Sequence, residues 1–166
     1  MKKIAIMVPV FILSVLVILA GAPLVLCDAP SGNEELYRDL AHDPANNRYL
    51  YVYNPGNSIM GRLLDRHGAA IGSDFPICDN PDNQKSSCRV AFDTAQERYL
   101  VVWVDGRTGG SADIYGQFVN ADGSLHATAS SVNFAISDDG SPQKFNPSVE
   151  YSETADMFLV VFQRNY

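Results

Sequence analysis

Arg89–Gly123 reads RVAFDTAQERYLVVWVDGRTGGSADIYGQFVNADG, and its reading decides the fold. Arg89–Asp93 is a short segment with Val90 and Phe92 alternating against Arg89 and Ala91. Tyr99–Val104 (YLVVWV) is a continuous apolar run of β-branched and aromatic residues. It is too short for a typical helix and suits a strand buried on both faces. Asp113–Asn120 alternates again, and Ala121-Asp122-Gly123 closes it with residues that tolerate the tight or left-handed backbone of a hairpin. The stretch therefore predicts three β-strands joined by turns.

The same pattern recurs on both sides. Leu40–Asn54 lies over Val90–Val104 at a shift of 50, so that Asp43 meets Asp93, Arg48-Tyr49-Leu50 meets Arg98-Tyr99-Leu100, and Tyr53 meets Trp103. Ile59-Met60-Gly61 meets Ile114-Tyr115-Gly116 and Gly68 meets Gly123 at 55; Phe75-Pro76-Ile77 meets Phe134-Ala135-Ile136 at 59. Downstream, Val149–Phe162 lies over Val90–Trp103 at 59, and Gln84-Lys85 meets Gln143-Lys144 at the same shift. The changes of shift fall in loops, where insertions are tolerated. A period of about 50 to 60 residues with four strand-like segments per copy predicts propeller-type blades.

The pattern resembles the blade repeats of secreted bacterial and archaeal β-propeller proteins, which read loosely V-A-F-D, Y-L-V-V-W-x-D-x-R, D-I-Y-G-Q, D-G. It is fullest in Val90–Asp93, Tyr99–Arg107, Asp113–Gln117 and Asp122-Gly123. The first copy departs from it, with Asn54-Pro55-Gly56-Asn57 in place of the Asp105–Arg107 loop, and the third stops after its second strand. The resemblance implies an all-β fold of four-stranded antiparallel blades. It implies little about activity, because propellers host lectins, hydrolases and scaffolds alike. The expected organisation is a leader over 1–27, a linker over 28–36, blades over 37–87 and 88–145, and a partial blade over 146–166. A blade needs neighbours on both sides, and propellers carry about four to eight. Three explanations stay open: a piece of a longer propeller, a ring completed by several chains, or a small open β-domain.

The N-terminus sets the compartment. Met1-Lys2-Lys3 is basic, and Ile4–Leu26 carries no charge. That is the pattern of a secretory signal or a signal-anchor helix, long enough to span a bilayer if uncleaved, with the rest delivered outside. Ala20-Gly21-Ala22 offers a small-x-small cleavage site, though Pro23 follows it; Leu24-Val25-Leu26-Cys27 offers an imperfect lipoprotein box. All 19 acidic residues lie after Cys27, against 10 basic ones once Lys2 and Lys3 are set aside. A net charge near −9 argues against nucleic acid as a partner. Secretion or attachment to the cell envelope is expected, with membrane contact only through an uncleaved leader.

Candidate chemistry is sparse. Cys78 and Cys88 flank the loop DNPDNQKSS and are expected to form a disulfide in an oxidising compartment. His42, His67 and His126 share no metal-ligand spacing. Asn120, Asp122 and Ser124 alternate oxygen ligands around a glycine, and Asp79, Asp82, Asp138 and Asp139 cluster in the loops between copies. Calcium takes such loops, but the closing Glu of an EF-type pattern is missing and hairpin chemistry explains Asp122-Gly123. Asp105 and Arg107 flank the turn after the most apolar strand; they are candidate ligand-binding residues for a sugar or carboxylate, or a structural ion pair. Tyr49, Tyr51, Tyr53, Tyr99 and Trp103 read as core before they read as a stacking platform. No nucleophile elbow or phosphate-cradling loop occurs, and nothing singles out a catalytic pair among the acids. The expectation is an exported, non-catalytic binding or scaffold module without a cofactor. A glycan or protein is the expected ligand, and a homo-oligomer completing the propeller is one of the assemblies left open. The alternative is a piece of a secreted carbohydrate-active enzyme.

Overall fold

A computed structural model of the chain describes residues 16–19, 22–25, 37–79, 84–107, 109, 111–127, 133–139 and 142–165. Every regular element among them is a β-strand. The first sheet contains β3 (Arg38–Asp43), β4 (Arg48–Tyr53), β5 (Ser58–Asp65) and β6 (Ala70–Asp79). The second contains β7 (Lys85–Asp93), β8 (Arg98–Asp105), β9 (Asp113–Asn120) and β10 (Phe134–Ser137), and the third β11 (Lys144–Ser152) and β12 (Met157–Arg164). Each strand pairs antiparallel with its neighbour in sequence, so every sheet is a simple meander.

The leader departs from expectation. In place of an anchor helix, β1 (Leu16–Leu19) and β2 (Ala22–Val25) pair antiparallel, Leu16 with Val25 and Leu19 with Ala22. Pro23 lacks the N–H a helix interior needs, and Val17, Ile18 and Val25 are β-branched residues that favour extended backbone. The basic start and Cys27 lie outside the described residues, and so do the linker and Asp82.

The hairpin ends show why these strands turn where they do. Asp43 and Asp93 are buried at the ends of β3 and β7. The Asp93 carboxylate accepts the N–H groups of Ala95 and Gln96 at 2.9 Å and faces Arg98 Nε at 3.4 Å. Asp43 likewise accepts Asn46 N–H at 3.0 Å and faces Arg48 Nε at 3.6 Å. In the third sheet Ser152 Oγ takes the role, accepting Ala155 N–H at 3.3 Å. The residue before each second strand has left-handed backbone, with φ of 50° at Asn47, Glu97 and Asp156. These are the positions that the sequence aligned at shifts of 50 and 59.

Side chains alternate along each strand, giving every sheet two faces. In the second sheet Val90, Phe92, Tyr99, Val101 and Trp103 form one face, here called the back. They pack with Leu50, Val52, Ile59 and Leu63, the front face of the first sheet. Its own front face, Ala91, Leu100 and Val102, packs with Val149, Tyr151, Phe158 and Val160, the back of the third sheet. The whole of Tyr99–Val104 is thus buried, as its unbroken apolar run requires. Gly123 permits close approach of the first sheet, since a Cβ there would come within 3.2 Å of Phe75; within the second sheet, a Cβ on Gly116 would come within 3.0 Å of Ile136.

Candidate functional site

Within the sheets, the strand ends Ser58, Asp79, Lys85, Asp105, Asp113 and Lys144 lie opposite the hairpin turns of Asp43 and Asp93. Most of the sequence candidates lie there. Asp105 ends β8 with its carboxylate fully buried. One oxygen accepts Trp103 Nε1–H at 2.8 Å and an Arg107 guanidinium N–H at 2.6 Å; the other accepts Arg107 N–H at 2.9 Å. Burial alone would raise the Asp105 pKa. The bonds from Arg107 and Trp103 outweigh it and hold the carboxyl below its usual range. The Arg107 guanidinium also lies 3.9 Å over the Tyr115 ring and reaches Cys78 Sγ at 3.8 Å. Asp105 and Arg107 are therefore together, but each is turned onto its own fold: a strand end is clamped to the neighbouring strand and to the first sheet.

Cys78 and Cys88, the expected disulfide pair, are both buried and are not joined to each other in this structure. Cys78 ends β6 and turns toward Arg107, whereas the Cys88 thiol on β7 donates to the Tyr37 carbonyl at 3.5 Å. The two sulfurs thus lie in the same seam, between the first and second sheets, but face different partners. Desolvation pushes the Cys78 thiol up from its ordinary pKa, and it packs as a small apolar group with a weak donor.

Asn120, Asp122 and Ser124 do converge, and they bond one another. Asn120 Nδ2–H donates to Ser124 Oγ at 2.9 Å, and Ser124 donates from N and Oγ to Asp122 Oδ1 at 2.9 and 2.6 Å. Those bonds lower the Asp122 pKa and close the β9 turn around Gly123. Among the described residues no three His, Cys, Asp or Glu side chains gather as metal ligands.

Sequence reading missed the most heavily charged buried cluster. Lys144, at the start of β11, is fully buried and donates to Asp113 at 2.7 Å and to Asp139 at 2.5 Å. Arg164 holds the other Asp139 oxygen at 2.9 Å. Burial opposes the ammonium charge, but the hydrogen bonds from the two aspartates win and raise the Lys144 pKa. The cluster ties the third sheet to the second, helped by Lys144 N–H donating to the Ala112 carbonyl at 2.9 Å. The available signal was the Gln-Lys pair recurring as Gln84-Lys85 and Gln143-Lys144, with both lysines now buried.

Sequence reading also missed a concavity at the hairpin end of the first sheet. A groove of about 630 Å³ is lined by Asn46, Asn47, Arg48, Asp65, Arg66, His67 and Ile71. Its wall is a turn in which Asp65 accepts the N–H groups of His67 and Ala69 at 2.8 and 2.9 Å. Arg66 Nε–H donates to His67 Nε2 at 2.8 Å. The lining offers amide and cationic donors suited to hydroxyl and carboxylate oxygens. No sequence signal distinguished these residues from an ordinary polar turn.

No family model, curated protein or solved structure matches the chain.

Proposed function

We propose that this chain is an exported, non-catalytic module of propeller-type blades that binds or scaffolds at the cell envelope. The observation that carries the reading is how its charged groups are used. Asp105, Arg107, Asp113 and Lys144 engage one another or neighbouring strands across the seams between sheets. Reactive carboxylates need access to substrate and a partner across a gap; these serve as mortar. The blade reading draws on the stacking of four-stranded meanders and on left-handed turn residues recurring at the aligned positions.

The groove beside Arg48 and Arg66 is the surface we assign to ligand, and its mixed lining of amides, guanidinium groups and the Asp65 carboxylate favours a hydroxyl-rich molecule such as a saccharide. The test is a glycan-binding screen run beside a hydrolysis assay on the same sugars, with wild type and Arg66→Ala. Binding without turnover, weakened about tenfold or more by Arg66→Ala, is the expected result. Turnover that disappears when one or two loop acids are changed would replace this reading with that of a carbohydrate-active enzyme.

A further inference from the structure

Three sheets stack with two seams, and both seams join the front of one sheet to the back of the next. The front residues are equivalent by alignment: Leu50 and Val52 in the first sheet, Leu100 and Val102 in the second, Leu159 and Val161 in the third. The first two pairs are buried; Leu100 is 4 % exposed and Val102 fully covered. Leu159 and Val161 are 65 % and 54 % exposed, and Met157 beside them is also open. The third front face is the same surface as the other two, but uncovered.

The back faces are equivalent too. Each carries an aromatic pair at one place: His42–Tyr49 with ring centroids 4.7 Å apart, Phe92–Tyr99 at 4.7 Å, and Tyr151–Phe158 at 5.1 Å. The Phe92–Tyr99 pair is buried under the first sheet's front, and Tyr151–Phe158 packs in the seam with the second sheet's front. The first sheet's back joins neither apolar core: Leu40 is 38 % exposed, His42 is exposed, and Tyr49 and Tyr51 are half-buried, while Tyr53 and Leu64 on the same face are covered. One chain therefore displays both halves of the joint it makes twice internally.

From this we infer that the front face of the third sheet, through Leu159 and Val161, docks on the back face of the first sheet of a second copy, around Leu40, Tyr49 and Tyr51. The occupant is argued from the internal seams, where these same register positions already meet. Charge fits as well: Glu150 stands on the front face where the second sheet has Ala91, and Arg38 and His42 lie on the receiving face. Such a joint is head-to-tail. It closes into a ring if the rotation between copies divides a full turn, and otherwise grows as an open chain. The inference rests on the blade reading of the sheets but not on the ligand-binding role.

The test uses the exported full chain, in detergent if the leader remains attached, with absolute mass measured by light scattering. Two variants each spoil one face: Leu159→Glu/Val161→Glu for the front, Leu40→Glu/Tyr51→Glu for the back. The wild type is expected to give masses of several copies and each variant alone a single copy. An equimolar mixture of the two variants is expected to double that mass, since each retains the complement of the other's intact face. A back variant that stays associated alone would mean front-to-front pairing and overturn the inference. So would a mixture that stays single, or a wild type monomeric at tens of micromolar. Circular dichroism and melting of each variant separate loss of docking from loss of fold. A ligand-binding result of either sign leaves this outcome untouched.

Discussion

Leu100 and Leu159 occupy aligned positions in β8 and β12, each after an aromatic residue and before two valines, yet one is sealed between sheets and the other faces solvent. The strands share the same alternation, the same left-handed residue at their hairpin turn and the same partner strand on one side. What differs is the strand on the second edge, which β12 lacks among the described residues, and the neighbour across the front face. The comparison teaches that a strand's apolar run states a demand for burial, and that the rest of the assembly decides whether the demand is met.

The largest expected effect tests the sealed side. Trp103 is fully buried and hydrogen-bonded to Asp105. Trp103→Ala is expected to cost roughly 3–5 kcal/mol by denaturant unfolding. A loss under about 1 kcal/mol would mean that the second sheet is not the core its burial indicates. Next comes the matched pair. Leu100→Ala is expected to cost about 2–4 kcal/mol. Leu159→Ala, measured where the chain is monomeric, should stay within about 0.5 kcal/mol. Equal costs would dissolve the contrast between the two sheets.

Acid sharpens the comparison further. The folded-state pKa of Asp105 lies below its unfolded value, and Asp74 is lowered as well by Arg62, which outweighs burial, and by Tyr53. Stability from these groups is present above the unfolded carboxylate pKa of about 3.9 and is lost as pH falls through the folded values. The unfolding free energy should therefore decline below about pH 4. Asp105→Asn should be less stable at neutral pH, by on the order of 3 kcal/mol, and decline less steeply in acid. An unchanged acid slope would show that Asp105 contributes no linkage.

The smallest effect concerns Tyr99. Its hydroxyl is buried without a hydrogen-bond partner, and burial pushes its pKa up. Tyr99→Phe removes an unsatisfied polar atom while keeping the ring. The expected result is a neutral change or a gain of up to about 1 kcal/mol. A clear loss would reveal a bond that the hydroxyl makes in solution.

Much of this was legible in the chain. Tyr99–Val104 demanded two covered faces, and the alignments at 50 and 59 marked where the hairpin turns recur. Asp105 and Arg107 were legible as a pair, and only the geometry showed them clamped onto Trp103, Tyr115 and Cys78. The expected Cys78–Cys88 pairing could not be settled by spacing, because two cysteines flanking a short loop look alike whether their side chains converge or face different partners within one seam. The Lys144 cluster was hidden for a deeper reason. Its partners are Asp113 at the start of β9 and Asp139 in the loop after β10, and one-dimensional spacing says little about which charges a stack of sheets will bury together. In the leader, hydropathy spoke for a helix while Pro23 and the β-branched residues spoke for extended backbone.

The irregularities in β7 and β11 have a geometric consequence. In β11 the pairing with β12 loses step between Phe145 and Ser148, where Asn146 has φ of 49°; β7 does the same between Ser86 and Arg89, where Ser87 has φ of 54°. One surplus residue reverses the parity of everything upstream of it. Lys144 consequently sits opposite Arg164, whose side of β12 also bears Phe158 and Val160, and so looks back toward Asp113. A perfectly pleated strand of the same composition would put Phe145 opposite Arg164 and swing the ammonium away from its aspartates. A single left-handed residue thus acts as a parity bit for the strand: it determines which neighbour the cation addresses, and the fold writes it twice.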